Sequence, residues 1–174
     1  GRDGFAGARP GAPGRFERPD MGPRLGDAAF RAQRQALEQA DMALKKLAAQ
    51  AHGETLTHVL TAWEQRDAAL LPPASELGAR LPPAQRGQWV KALSTPAQGD
   101  AETALLRMEI AAELPSPAAS LEARRQLQLV LLTRRNDAPP HQTWANDAAQ
   151  AMSAAFEPGH ARRLQNALKV LLRR

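Results

Sequence analysis

Residues 105–144, LLRMEIAAELPSPAASLEARRQLQLVLLTRRNDAPPHQTW, decide the fold class. They read as a helix, an elbow, a second helix and a stop. Leu105, Met108, Ile110 and Ala112 form the apolar face of a helix over 101–113. Leu114-Pro115-Ser116-Pro117 ends it, because proline lacks an amide hydrogen and disfavours helical geometry in the residue before it. Ser116 is placed to cap the next helix, with Pro117 in its first turn. That helix runs to about Thr133, and Asn136-Asp137 and Pro139-Pro140 close it.

The same grammar extends both ways. Asp27 is a candidate N-cap for a helix over 28–51, whose apolar face is Phe30, Leu37, Ala40, Leu44, Leu47 and Ala48. Gly53 is read as its end. A second helix, 54–70, carries Leu56, Val59, Leu60 and Trp63 at helical spacing, and Pro72-Pro73 stops it. A short turn over 74–79 follows. Pro82-Pro83 starts a helix to Leu93 that turns Trp89, Val90 and Leu93 inward, and Gly99-Asp100 precedes the helix over 101–113. Beyond the elbow, 141–155 presents Trp144, Ala148, Ala151, Met152 and Ala155. The last helix, from Pro158-Gly159, presents Leu164, Leu168, Leu171 and Leu172. The expectation is an all-α fold: an antiparallel helical bundle or short α-solenoid of about seven helices.

Composition agrees. The 174 residues are 43% hydrophobic but only 4% aromatic, with no tyrosine. The core must be built from Leu and Ala with a few Trp, Met and Val, and Ala and Leu are strong helix formers. Residues 1–26 hold seven Gly, four Pro and five Arg. That segment has too little apolar surface to offset ordering entropy, and reads as a disordered linker. The expected division is therefore a linker, 1–26, and a single helical domain, 27–174. The start at Gly1 suggests a fragment or processed product.

Several chemistries lose their residues. The absence of cysteine excludes disulfides, thiolate zinc sites and cysteine nucleophiles. There is no His-Glu-x-x-His, Gly-x-Ser-x-Gly, P-loop or dinucleotide fingerprint. His58 stands four residues after Glu54, a spacing more typical of a surface contact than of a metal site or a hydrolytic centre. His52 is read as closing its helix, where a positive charge suits the dipole. The reading is a non-catalytic chain with no cofactor and no metal; a hydrolytic enzyme is the weakest alternative.

The arginines remain. Net charge is +5, and residues 114–174 hold nine Lys/Arg against four acids. Arg124, Arg125, Arg134, Arg135, Arg162, Arg163, Lys169 and Arg173 are the candidate nucleic-acid-binding residues. On a continuous helix Arg124 and Arg135 would point within ~20° of one another. Arg162, Lys169 and Arg173 are spaced i, i+7, i+11. Two such helices side by side would make a basic face for phosphates. The simpler reading is a solvated helix face. The candidate partners are RNA or the ribosome through that face, or a protein surface, which could be an upstream part of the same chain. No apolar run reaches the ~20 residues that span a membrane.

The stretch 105–144 also resembles the C-terminal region of bacterial proteins carrying the domain of unknown function numbered 349. The resemblance rests on Leu106, Arg107, Met108 and Glu109, then Leu114 to Pro117, then the Arg- and Leu-rich helix Arg124 to Leu132. FRAQRQALEQADMALKKLAAQAHGETLTHVLTAWEQRD, residues 30–67, is similar to β-proteobacterial members, so the likeness extends from about Asp27 to the end. It implies a cytoplasmic, helical, non-enzymatic protein whose repeated helical units lie upstream. It carries over no catalytic residue.

Overall fold

A computed structural model describes residues 22–173, with side chains from Gly26 onward. Among them every regular element is helical. The helices are α1 (Gly22–Gln65), α2 (Ala74–Leu77), α3 (Pro83–Leu93), α4 (Glu102–Ala112), α5 (Leu121–Thr133), α6 (Pro140–Met152) and α7 (Pro158–Leu171). Short 3-10 turns at Ala68–Leu70 and Ala118–Ser120 precede α2 and α5. The all-α expectation and most of the boundaries hold. Of the expected disordered linker over 1–26, residues 1–21 lie outside the described residues, while 22–26 belong to α1.

Three local expectations are corrected. Gly53 does not end a helix, because α1 runs through it without interruption. A glycine inside a helix costs only about 1 kcal/mol relative to alanine, too little to stop a chain with good formers on both sides. Its carbonyl also accepts a hydrogen bond from the Thr57 hydroxyl at 3.0 Å. Asp27 is not a cap, since α1 already begins at Gly22. His52 accordingly lies within α1 rather than at its end.

The chain divides into two compact units, residues 1–49 and 50–174. The division falls inside α1. The described part of the first unit is the N-terminal portion of α1. Every side chain from Gly26 to Ala49 is exposed.

The second unit holds the core. Its buried residues include Leu56, Val59, Ala62 and Trp63 of α1, Trp89 and Leu93 of α3, Leu105 and Met108 of α4, Ala148 and Met152 of α6, and Leu164 and Leu168 of α7. α6 packs against α3 and α4, and α7 against α4 and α6. Alanines at 104, 111, 145, 148, 151, 161 and 167 line these contacts and let the helices approach closely. The two largest buried side chains also bond to α6 and to the turn that follows it. Trp63 Nε1 donates to the carbonyl of Ala154 at 2.9 Å, and Trp89 Nε1 to that of Ala145 at 2.8 Å. Phe156 meets Trp63 edge-on at 5.4 Å between centroids.

α1 ends where Arg66 adopts a left-handed backbone, φ 53. Its guanidinium gathers carbonyls left without helical partners at the ends of α3 and α6. It donates to Ala92, Thr95, Met152, Ser153 and Ala154 at 3.0–3.2 Å. One cation thus closes the negative ends of two helices.

Candidate functional site

The elbow between α4 and α5 is a polar knot. Glu109 projects from α4 into the core and is almost fully buried. Arg163 of α7 clasps it with two bonds, Nε to Oε2 at 2.9 Å and Nη2 to Oε1 at 2.8 Å. The remaining Arg163 nitrogen, Nη1, reaches Glu102 Oε1 at 2.7 Å. Ser116 Oγ donates to Glu109 Oε1 at 2.7 Å. Arg124 of α5 donates through Nη1 to Ser116 Oγ at 2.9 Å and to the Leu114 carbonyl. Ser116 is therefore not the helix cap the sequence suggested. It links the buried carboxylate to α5.

The charges balance inside this knot. Burial alone would raise the Glu102 carboxyl. Hydrogen bonds from Arg163 and Ser120, with the positive charges of Arg163 and His160, outweigh it and hold the group below the usual carboxylate range. Burial disfavours the Arg163 cation, but Glu109 and Glu102 overcome that and raise its pKa further. A second buried pair sits between α4 and α6. Arg107 Nε bridges both oxygens of Asp147 at 3.1 Å, and Thr143 joins them. Burial still wins at Asp147 and raises its carboxyl, despite the opposing pull of Arg107 and Thr143.

The eight basic candidates separate accordingly. Arg163 faces inward and is committed to two carboxylates. Arg124 is half-buried and committed to the elbow. Arg125 is exposed and paired with Glu122 at 2.9 Å. Arg134 caps α5 with φ −100 and ψ 69, and Arg135 follows in a turn. Because α5 ends at Thr133, Arg124 and Arg135 do not share a helical line. Arg162 and Lys169 on α7, and Arg173 just past its end, are exposed. The expected continuous basic face thus reduces to this α7 stripe and the α5 C-terminus.

The feature the sequence reading missed is α5 itself. It has no buried residue. Arg124, Leu127 and Leu131 form a half-buried line, while Leu129 and Leu132 are 53% and 69% exposed. Leu121, Leu129 and Leu132 fall within an arc of about 80° at 100° per residue, facing solvent with Arg125 among them. The 3-10 turn at Ala118–Ser120, next to α5 in the chain, contacts it. The spread of Leu121, Leu127, Leu129, Leu131 and Leu132 over more than half the circumference of α5 was the available signal.

His58 and Glu54 are both exposed. Among the described residues no group of three or more His, Asp and Glu is placed to hold a metal ion, and no helix is long and apolar enough to cross a membrane. No family description, curated protein or solved structure matches the chain.

Proposed function

We propose that the chain is a non-catalytic helical interaction module, and that α5 is the helix it presents to a partner protein. The carrying observation is the solvent-facing strip of Leu121, Leu129 and Leu132 on a helix with no buried residue. Exposed apolar strips with polar rims suit helix-in-groove binding, in which one amphipathic helix fills an apolar groove. Arg125 lies within the strip and Arg134 and Arg135 follow its C-terminal end, so acidic groups on the partner would complement them. The knot at Glu109, Ser116 and Arg124 fixes the start of α5 on the second unit.

A second reading, contact with RNA or the ribosome, draws support from the exposed Arg162 and Lys169 on α7 and Arg173 just past its end. Such contact would be directed at phosphates and would weaken steeply with salt. The bacterial, cytoplasmic setting and the likeness to the domain-349 proteins belong to this proposal. The partner surface could then be an upstream helical array of the same protein.

The test is a photo-crosslinking residue placed at Leu129 and, as control, at the exposed Gln150 of α6. A protein adduct from position 129 alone is expected in cells. Adducts with RNA only, or equal adducts from both positions, would overturn the α5 assignment. A Leu129→Asp/Leu132→Asp chain supplies the folding control. Both sites are exposed, so its stability should change by less than about 0.5 kcal/mol. A fall of several kcal/mol would mean that α5 is core.

A further inference from the structure

We propose that the first unit pairs with a second copy of this chain as an antiparallel two-stranded coiled coil. This surface is separate from α5 and stands on different residues. Phe30, Leu37 and Leu44 recur every seven residues along α1, with Ala40 and Leu47 three positions beyond the last two. These are the a and d positions of a heptad seam, and Gln33 fills the first d position. Phe30, Leu37, Leu44 and Leu47 are 55%, 65%, 66% and 61% exposed. A helix in water draws most of its stability from packing an apolar face, and this face has none within its own unit.

The charges select the second copy as occupant and set its direction. In an antiparallel pair, a positions meet d positions and e positions meet e positions. Phe30 then lies over Leu47 of the second copy, Leu37 over its Ala40, and Gln33 over its Leu44. At the e positions Arg34 faces Asp41 of the second copy, and Asp41 faces its Arg34, giving two opposite-charge contacts by symmetry. Sliding the pair by one heptad would set Asp41 against Asp41 and Phe30 against Glu54. A parallel pair would offer the e charges only Ala36, Ala43 and Gln50 at g. Arg34 and Asp41 are available to move: their present i,i+4 contacts, to Glu38 at 3.4 Å and Lys45 at 2.9 Å, are fully solvated and weak.

Sedimentation equilibrium of the 174-residue chain should give a mass rising toward two chains with concentration. Leu37→Asp/Leu44→Asp should hold it at one chain while the circular dichroism of the second unit's helices persists. Direction is read from disulfides, because the chain has no cysteine of its own. A mixture of Phe30→Cys and Leu47→Cys chains should form the mixed disulfide, and neither should link to itself. Arg34→Asp should weaken the dimer, and Arg34→Asp/Asp41→Arg should restore it. A single-chain mass at every concentration would overturn the proposal, as would a dimer indifferent to Leu37→Asp/Leu44→Asp. Self-linking of Leu47→Cys, or no rescue by the charge swap, would overturn the antiparallel register.

Discussion

Arg162 and Arg163 are neighbours in sequence with opposite fates. One step along a helix rotates a side chain by 100°, so Arg162 meets solvent while Arg163 enters the core. Nothing in the local sequence separates them. The deciding partners, Glu109 and Glu102, lie 54 and 61 residues away. Breaking a buried pair leaves an uncompensated charge and typically costs about 3–5 kcal/mol. Arg163→Met should therefore lower unfolding free energy in urea by about 3 kcal/mol, whereas Arg162→Met should change it by less than about 0.5 kcal/mol. Equal effects would contradict the inward assignment. His52 makes a pH-dependent case. Burial, then the charges of Arg173 and Lys169, hold its imidazole below the ordinary 6.5. The unfolded chain takes up the proton first, so folding stability falls as pH drops below about 6.5 toward the lower folded value. Compared with His52→Gln, the wild-type chain should lose stability in that window and match its slope above pH 7. Glu102 acts lower: its depressed carboxyl contributes stability above about 4.5 that acid removes.

At the level of elements, helix existence was legible and helix environment was not. Trp63 with Leu56 and Val59, and Leu164 with Leu168, announced their buried faces by spacing alone. The pair Pro82-Pro83 marked the start of α3 correctly, whereas Pro139-Pro140, read as a stop, begins α6. Gly53 misled because a glycine signals a possible break without enforcing one. Its backbone is helical and a Cβ there would meet nothing within 4 Å. Gly53→Ala should therefore raise stability by about 0.5–1 kcal/mol, through helix propensity and a less flexible unfolded chain. A loss on thermal or urea unfolding would place a real break there. α5 misled in the opposite sense. Its leucines carry the pattern of a core helix, and whether such a face is covered depends on what other helices reach it. The exposed face of α1 has the same ambiguity: the period of seven was present in the sequence, but only its exposure turns it into an interaction seam.

At the level of the molecule, the core uses the chain economically. α3, α4, α6 and α7, with the C-terminal part of α1, bury most of the large apolar side chains. Two tryptophan donors, the Arg66 clamp and two buried ion pairs fix how those helices meet. α5 takes no share in that core and is held by Arg124 at one end. Sparse packing has a dynamic signature, since segments with few buried contacts open locally at a small fraction of the global free energy. Native-state hydrogen exchange of the isolated chain reads this directly. The α5 amides should exchange rapidly by local opening, while those of α4 and α6 should exchange only with global unfolding. Protection of α5 equal to that of α6 would mean that its leucines are buried in the chain itself, and α5 would not be a helix awaiting a partner.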